Sequence, residues 1–301
     1  MVVAFHAIVS RWDPPHLGDL ALGVDIFFVI SGYIMMATTR TMRPGEFAYK
    51  RLVRIVPMYW LMTAVLLAAV GIHFFRHAVV TPETVTKSLL FIPYIGQEGV
   101  APLLVPGWTL NVEIFFYLIF TTALLLPYRL RLPTVGALFV TMVVAGASVH
   151  MTTPALWLYT RPRLLEFVIG MALAQFWRMR GQWGLIMVVA GFATLLFGEP
   201  YGGIIGAGLI VAGALAAEPS VPSRALLWLG DISYSLYLSH LFVIAAVKSV
   251  MGYSPVWLYV PMCGVLSIIT AGVIYRCAEK PIQRFLSTPK VPEVIKPVRE
   301  C

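Results

Sequence analysis

Two histidines and three carboxylates lie inside long apolar stretches of this chain. They are His6, Asp25, Glu113, Glu166 and His240. Placing an ionised carboxylate at the centre of a bilayer costs about 2.5–3.5 kcal/mol, so such a residue usually has a partner or a function. A neutral imidazole is the usual general base near pH 7, and a carboxylate can fix its tautomer and stabilise the imidazolium. These residue types therefore predict acid–base chemistry, with Asp25 or Glu113 as the partner of a histidine.

Each of these side chains also has a purely structural interpretation. Asp25 suits a helix-packing carboxylate that is bonded to a hydroxyl or to an arginine. Glu166 lies three residues after Arg163, a spacing that favours an ion pair on a helix surface. His6 and His240 suit packing or interfacial histidines. The residue types alone leave both interpretations open.

A pair of arginines, Arg51 and Arg54, lies at the i,i+3 spacing of one helical face. The planar guanidinium group matches phosphate oxygens better than the point charge of a lysine does. This pair therefore predicts binding of a phosphate-bearing ligand. The alternative is that both arginines only anchor the chain at the membrane surface.

The composition places these residues in a membrane. The 301 residues are 59% hydrophobic and 12% charged, and the mean hydropathy is +0.83. A soluble domain has about 25% charged residues. We therefore expect one polytopic bundle over 1–286, followed by an irregular cytoplasmic tail with Pro and Lys over 287–301. The three cysteines follow no metal-ligand spacing, so neither a metal site nor a disulfide framework is expected.

Apolar runs long enough to cross about 30 Å of hydrocarbon recur along the chain, which predicts an all-α bundle of about ten transmembrane helices. Met1–Ser10 would rise only about 15 Å as a helix, so we expect it to be the outer half of a first helix whose beginning lies outside this sequence. The other nine are expected at Leu20–Thr39, Ile55–His73, Gly107–Pro127, Pro133–His150, Arg163–Arg178, Gly184–Gly198, Gly202–Ala217, Arg224–Val247 and Val256–Cys277. Between them, Arg40–Arg54 is expected to be a basic loop, and Phe74–Pro106 a long loop with an amphipathic piece near Thr84–Tyr94.

The loops on one face of this bundle hold most of the 22 Lys and Arg residues. The positive-inside rule makes that face cytoplasmic. We therefore expect a multi-pass protein of the bacterial inner membrane, with both termini cytoplasmic in the full-length form. The net charge of +8 is then a topology signal, and no nucleic-acid partner is expected. At about 1.5 Å per residue, the five ionisable groups would lie about 4–11 Å below the outer boundary. This common depth predicts one polar chamber in the outer leaflet.

Seven motifs follow one another along nearly the whole chain. They are F-H-A (Phe5–Ala7), G-V-D-I-F-F-V-I-S-G (Gly23–Gly32), E-F-A-Y-K-R-L-V-R-I-V-P-M-Y-W (Glu46–Trp60), W-T-L-N-V-E-I-F-F-Y (Trp108–Tyr117), R-L-L-E-F (Arg163–Phe167), G-D-I-S-Y-S-L-Y-L-S-H (Gly230–His240) and E-K-P-I (Glu279–Ile282). In this order they resemble the membrane acyltransferase-3 family, which transfers acyl groups, usually acetyl, from acyl-CoA to extracytoplasmic glycans. The Glu46–Trp60 stretch most resembles the exopolysaccharide-production acetyltransferases of that family.

The resemblance implies acyl-CoA, in particular acetyl-CoA, as the donor and a glycan or lipid-linked saccharide as the acceptor. With the residue chemistry above, it predicts catalytic roles for His6, Asp25 and Glu113. Substrate-binding roles are predicted for a further set, namely Arg51, Arg54, Glu166, Arg163, Trp108 and His240. Direct transfer and an acyl-enzyme intermediate both stay open. The alternative from another class is a glycan or lipid transporter without acyl transfer, which would show inverted repeats and broken helices near the membrane midplane. The sequence shows no such symmetry.

Overall fold

The computed structural model describes residues 1–12, 22–75, 79–96, 99–149, 152–177, 183–197, 202–217, 223–252 and 254–287. Within these ranges the chain is almost entirely helical. A two-stranded antiparallel sheet pairs Ile95–Gly96 (β1) with Gly99–Val100 (β2). The predicted all-α fold is confirmed. The tail expected over 287–301 lies, from residue 288 onwards, outside the described residues.

Each of the ten predicted segments contains a helix, and short helices lie in the loops. In chain order the helices are α1 (Val2–Trp12), α2 (Leu22–Thr38), α3 (Pro44–Gly71), α4 (Pro82–Leu89), α5 (Gly107–Ala123), α6 (Tyr128–Ser148), α7 (Pro154–Tyr159), α8 (Leu164–Phe176), α9 (Trp183–Phe197), α10 (Gly202–Ala216), α11 (Arg224–Met251), α12 (Val256–Ile274) and α13 (Lys280–Leu286). A π-helical turn, Tyr275–Glu279, joins α12 to α13.

Several of these helices can cross a membrane by length and composition. In the described part of the chain, 4 helices have at least 18 residues and enough apolar character: α3, α6, α11 and the continuous Val256–Leu286 helix. Shorter apolar helices lie in α1, α2, α9 and α10. The chain is therefore a multi-pass membrane protein.

Helix α3 departs from the expected boundaries. The sequence predicts a basic loop that ends before Ile55, but α3 begins at Pro44 and continues through Pro57. Pro44 occupies the first turn, where a missing N–H costs nothing. A proline inside a helix usually ends it, but here the buried face of α3 continues on both sides of Pro57. Arg51 and Arg54 therefore lie on a helix that is continuous with the membrane span.

Helices α2 and α8 pack with their backbones in contact. A methyl group added at Gly32 would lie well under 3.0 Å from the carbonyl oxygen of Phe167. One added at Gly170 would lie equally close to the carbonyl oxygen of Val29. Small residues allow this close approach in membrane bundles, where apolar burial between helices supplies little driving force. The contact fixes the position of α2 against α8.

Aromatic rings fix α5 against the same two helices. The ring centroids of Phe116 and Phe167 are 4.2 Å apart, and those of Phe28 and Phe167 are 4.7 Å apart. All three side chains are fully buried. Offset aromatic packing at this spacing contributes about 0.5–1.5 kcal/mol per pair beyond burial of area. Helix α5, which carries Glu113, is thus held between α2 and α8.

The loop before α5 is folded against α3. Its short helix α4 is capped reciprocally by Thr81 and Thr84. Ser88 Oγ accepts from the backbone N–H of Leu103 at 3.0 Å, and the indole of Trp60 on α3 donates to the carbonyl oxygen of Leu89 at 2.9 Å. These bonds set where α5 begins.

Candidate active site

The two histidines meet between α1 and α11. His240 Nε2 lies 3.3 Å from His6 Nδ1, and the two ring centroids are 4.9 Å apart. His240 Nδ1 lies 2.7 Å from the carbonyl oxygen of Tyr237, and His6 Nδ1 lies 3.0 Å from that of Val2. His240 is fully buried and His6 is half-buried. The pair is an imidazole dyad that joins the first and eleventh helices.

Tyr237 connects this dyad to the beginning of α5. Its hydroxyl donates to the carbonyl oxygen of Pro106 at 2.7 Å and lies 2.6 Å from Thr109 Oγ1. Its ring lies parallel to that of Phe27 on α2, with 6.4 Å between the centroids. The residue that accepts the His240 hydrogen bond is therefore held by two other helices.

Glu113 makes its hydrogen bonds to hydroxyl groups and not to the histidines. Its Oε1 accepts from the hydroxyl of Tyr117, one turn further along α5, and from Ser31 Oγ on α2 at 3.4 Å. The side chain is buried. The positive charges of Arg54 and Arg51 attract its carboxylate. Glu113 and the arginine pair thus form one electrostatic group.

A cavity of about 480 Å³ lies between α2, α3, α5 and α11, and its walls include Arg51, Arg54 and Glu113. A second cavity of about 300 Å³ is lined by His240. The two share part of their lining, namely Val2, Gly23, Ile26, Ser233 and Tyr237. They therefore adjoin.

The spacing of residues along α11 shows how far the two adjoining cavities extend. Tyr234 lines the larger cavity, and its hydroxyl donates to the carbonyl oxygen of Ile55, the residue after Arg54, at 2.7 Å. His240 lies six residues further along α11, which is about 9 Å at 1.5 Å per residue. The adjoining cavities thus extend from the arginine pair to His240, whose ring contacts His6.

Asp25 belongs to a third cluster. Its Oδ1 lies 3.3 Å from Arg163 Nε, and its carboxyl group is within hydrogen-bonding reach of Glu166. A methyl group added at Gly203 would lie 3.0 Å from Asp25 Oδ2, so this carboxylate also approaches the first turn of α10. The Arg163 guanidinium lies 5.2 Å from the centroid of the Trp108 ring. The cluster joins α2, α5, α8 and α10.

The sequence predicts one level for the five ionisable groups, and the structure separates them into these three clusters. Glu113 is bonded to Ser31, which lies six residues beyond Asp25 on α2, or about 9 Å along the helix. The prediction assumed that all helices begin at the same depth, but the packed helices are offset from one another along their axes. The ring partner of His6 is His240, not the expected carboxylate.

Two further expectations about pairs are corrected. Arg163 forms its ion pair with Asp25, so the local i,i+3 pair with Glu166 is not its salt bridge. Glu113 was expected to be the partner of a histidine, but its hydrogen bonds go to tyrosine and serine hydroxyls. For Arg163, a contact between helices replaces the partner that sequence spacing suggests.

Sequence reasoning missed several polar side chains around the site: Ser31, Tyr117, Tyr234, Tyr237 and Glu279. The i,i+4 spacing of Glu113 and Tyr117 could have indicated the first bond. Glu279 lies in the π-helical turn, a feature that is frequent at functional sites. Its Oε2 accepts from Ser235 Oγ at 2.5 Å, and its Oε1 accepts from Gln283 Nε2 at 3.1 Å.

The motifs around these clusters have counterparts in known proteins. The model of the acyltransferase domain family (Acyl_transf_3) matches residues 1–276. The chain belongs to the acyltransferase-3 family. Among the part that the structure describes, no group of three or more His, Cys, Asp and Glu side chains is arranged to hold a metal ion.

Curated relatives extend this finding. The chain is 40% identical over 261 residues to the exopolysaccharide production protein ExoZ of Rhizobium meliloti, which covers 81% of this chain and 82% of ExoZ. It is 27% identical over 339 residues to the O-acetyltransferase OatA of Staphylococcus aureus, with 94% of this chain and 55% of OatA covered. The chain thus spans about half of OatA. It is 26% identical over 306 residues to nodulation protein 10 of Rhizobium leguminosarum bv. viciae. No solved structure matches.

Proposed function

We propose that this protein transfers an acyl group, in particular acetyl, from cytoplasmic acyl-CoA to a hydroxyl of an extracytoplasmic or lipid-linked glycan such as an exopolysaccharide. The observation that carries the proposal is the pair of adjoining cavities, with two arginines lining one and His240, the ring partner of His6, lining the other. The acceptor class is supported by the similarity to ExoZ, an exopolysaccharide production protein, and the reaction by the similarity to OatA, an O-acetyltransferase.

Arg51 and Arg54 bind the phosphates of the donor in this proposal. Both line the larger cavity, and both lie about two to three turns inside α3 from Pro44. An acyl-CoA is a donor that this arrangement suits, because guanidinium groups bind the phosphate oxygens of CoA in pairs. The pantetheine arm would lie along the mostly apolar walls towards His240. Donor and acceptor then approach the reacting centre from opposite sides of the membrane.

His6 acts as the general base. It removes the proton from the acceptor hydroxyl while the hydroxyl oxygen attacks the thioester carbonyl carbon. The C–S bond then breaks, the new ester forms, and the imidazolium gives its proton to the CoA thiolate. Glu113 balances the arginine charges beside the path. If the reaction passed through an acyl-enzyme intermediate, His6 would act as the base both in its formation and in the transfer to the acceptor.

The third cluster serves the acceptor. Arg163 and Trp108 present a cation and an aromatic face together, a combination that suits sugar hydroxyls and rings. Asp25 and Glu166 hold that arginine in place. Asp25 thus acts through Arg163 in this proposal. The positive-inside bias supports an inner-membrane location with the arginine pair on the cytoplasmic side.

The test uses the purified full chain in proteoliposomes, acetyl-CoA with a labelled acetyl group, and an exopolysaccharide fragment as acceptor. We expect labelled ester on the saccharide, and a KM for acetyl-CoA that rises about tenfold or more in the double variant Arg51→Gln, Arg54→Gln. The matched control is Arg129→Gln, because Arg129 is exposed and lies outside both cavity linings. An unchanged donor KM in the double variant refutes the donor site. Movement of saccharide across the bilayer without esterification would establish the transporter alternative.

A further inference from the structure

We infer that His240 is a positioning residue that fixes the tautomer of His6 and leaves the basic lone pair on His6 Nε2. The inference rests on the proposed function, in which His6 is the general base. It deepens that proposal by identifying the group that orients the base. From sequence, a carboxylate was expected in this place.

The hydrogen bonds admit one arrangement of protons in the neutral pair. A carbonyl oxygen can only accept, so His240 Nδ1, 2.7 Å from Tyr237 O, must carry a proton. By the same reasoning His6 Nδ1, 3.0 Å from Val2 O, carries a proton. Each neutral imidazole holds one N–H, so both Nε2 atoms are unprotonated. His6 Nδ1–H is then shared between Val2 O and His240 Nε2, which is 3.3 Å away.

The consequence is that His6 Nε2 is the one ring nitrogen of the pair without a hydrogen-bond partner among the described residues. This nitrogen is free to take the proton of an acceptor hydroxyl. When it does so, the Nδ1–H bond to His240 Nε2 becomes a bond from a cation and strengthens. His240 therefore favours the imidazolium without placing a second ionised group in the membrane.

The groups around the dyad do not offer a competing partner. Helix α12 packs against α1 and presents Tyr259 and Cys263, but the Tyr259 hydroxyl lies 3.4 Å from Ser10 Oγ, about one turn from His6. Helix α2 presents Asp25, whose salt bridge is with Arg163. On α11 the group in contact with His6 is His240 itself.

Substitutions of His240 test this role in the purified full chain. His240→Phe keeps a ring but removes the acceptor, so we expect kcat to fall by about 10²-fold, with the KM for acetyl-CoA within about twofold. The acid limb of the kcat/KM profile should move to lower pH, because the imidazolium of His6 loses its acceptor. The matched control is Ser239→Ala. Its buried hydroxyl has no hydrogen-bond partner in the described chain, so this variant should behave as wild type.

A second test compares the turnover of two amide variants of His240, and it does not require the His240→Phe variant to fold. His240→Gln places an amide oxygen close to the position of Nε2, whereas His240→Asn places one close to Nδ1. We therefore expect the Gln variant to retain about tenfold more turnover than the Asn variant. Equal turnover, or more turnover with Asn, overturns the inference. So does a lowered kcat with an unmoved acid limb, which would assign His240 to packing.

Failure of the inference and failure of the proposed function give different results. If His6→Ala is inactive and His240→Phe retains the wild-type kcat and pH profile, the base assignment stands and the positioning role is overturned. If His6→Ala retains full esterification, the base assignment itself is refuted. If neither variant nor wild type esterifies the saccharide, the proposed function fails.

Discussion

The ion pair between Asp25 and Arg163 gives a measurable prediction about the stability of the third cluster. The two charged atoms are 3.3 Å apart. At an effective dielectric constant of about 20, their attraction is about 5 kcal/mol. The Arg163 side chain is 34% exposed, which screens the pair. Glu166 also remains as a second carboxylate near Arg163. We therefore expect a net coupling of about 1–2 kcal/mol.

A double-mutant cycle measures this coupling. Asp25→Asn, Arg163→Gln and the double variant are compared with wild type by the free energy of unfolding in detergent. Because Asp25 acts through Arg163 in the proposed mechanism, Asp25→Asn should also raise the KM for the saccharide several-fold. The KM for acetyl-CoA and the kcat at saturating acceptor should stay close to wild type. Glu166→Gln serves as a comparison that removes the other carboxylate of the cluster.

Two outcomes would refute this reasoning. A coupling below about 0.3–0.5 kcal/mol, the scale at which independent sites add, would mean that the ion pair contributes nothing measurable. A fall in kcat of about 10²-fold in an Asp25→Asn variant that unfolds like wild type would place Asp25 at the chemistry, as a general acid–base group. Either result would require a different role for Asp25.

Three other substitutions follow from the same contacts. Glu113→Gln keeps an acceptor for the Tyr117 hydroxyl and removes the charge beside the arginine pair. Turnover should therefore fall by about 10²-fold without a change in melting temperature. Near-normal turnover would leave Glu113 as a packing residue. Gly32→Ala should lower the free energy of unfolding by about 1–3 kcal/mol, because the new methyl group would clash with the backbone of Phe167. The control is Gly45→Ala, where no atom lies within 4 Å of the new methyl group. Equal melting temperatures of the two variants would contradict the packing argument. His6→Ala should abolish esterification while the protein accumulates normally, and wild-type esterification would exclude His6 as the base.

The fold class follows from the sequence because a membrane span depends on local composition. Every backbone polar group of a span must be satisfied within the hydrocarbon, so an apolar run of sufficient length has to be helical. Segments such as Arg224–Val247 and Val256–Cys277 are therefore recognisable without knowledge of their neighbours, and helices α11 and α12 lie there. The boundaries at α3 are less accurate, because the burial that continues a helix through Pro57 comes from other helices.

The partners within the site could not be predicted in the same way. His6 and His240 are 234 residues apart, and their contact depends on how α1 packs against α11. Asp25 meets Arg163 because α2 and α8 approach through Gly32 and Gly170, which no local pattern specifies. Local spacing is informative only within one helix, as for Glu113 and Tyr117. The residue types at the site were accessible from the sequence, and their pairing was not.

The separation of the acids from the histidines has a chemical reason under the proposed mechanism. A carboxylate beside His6 would hold a proton as an ion pair, whereas a second neutral imidazole adds no charge to the membrane in the resting state. The dyad is then charged only while the proton is held between the acceptor hydroxyl and the CoA thiolate. A low-dielectric site favours passing that proton on. An imidazole partner therefore suits a base that must release its proton within the same turnover, and it lets the buried acids serve Arg163 and the donor site.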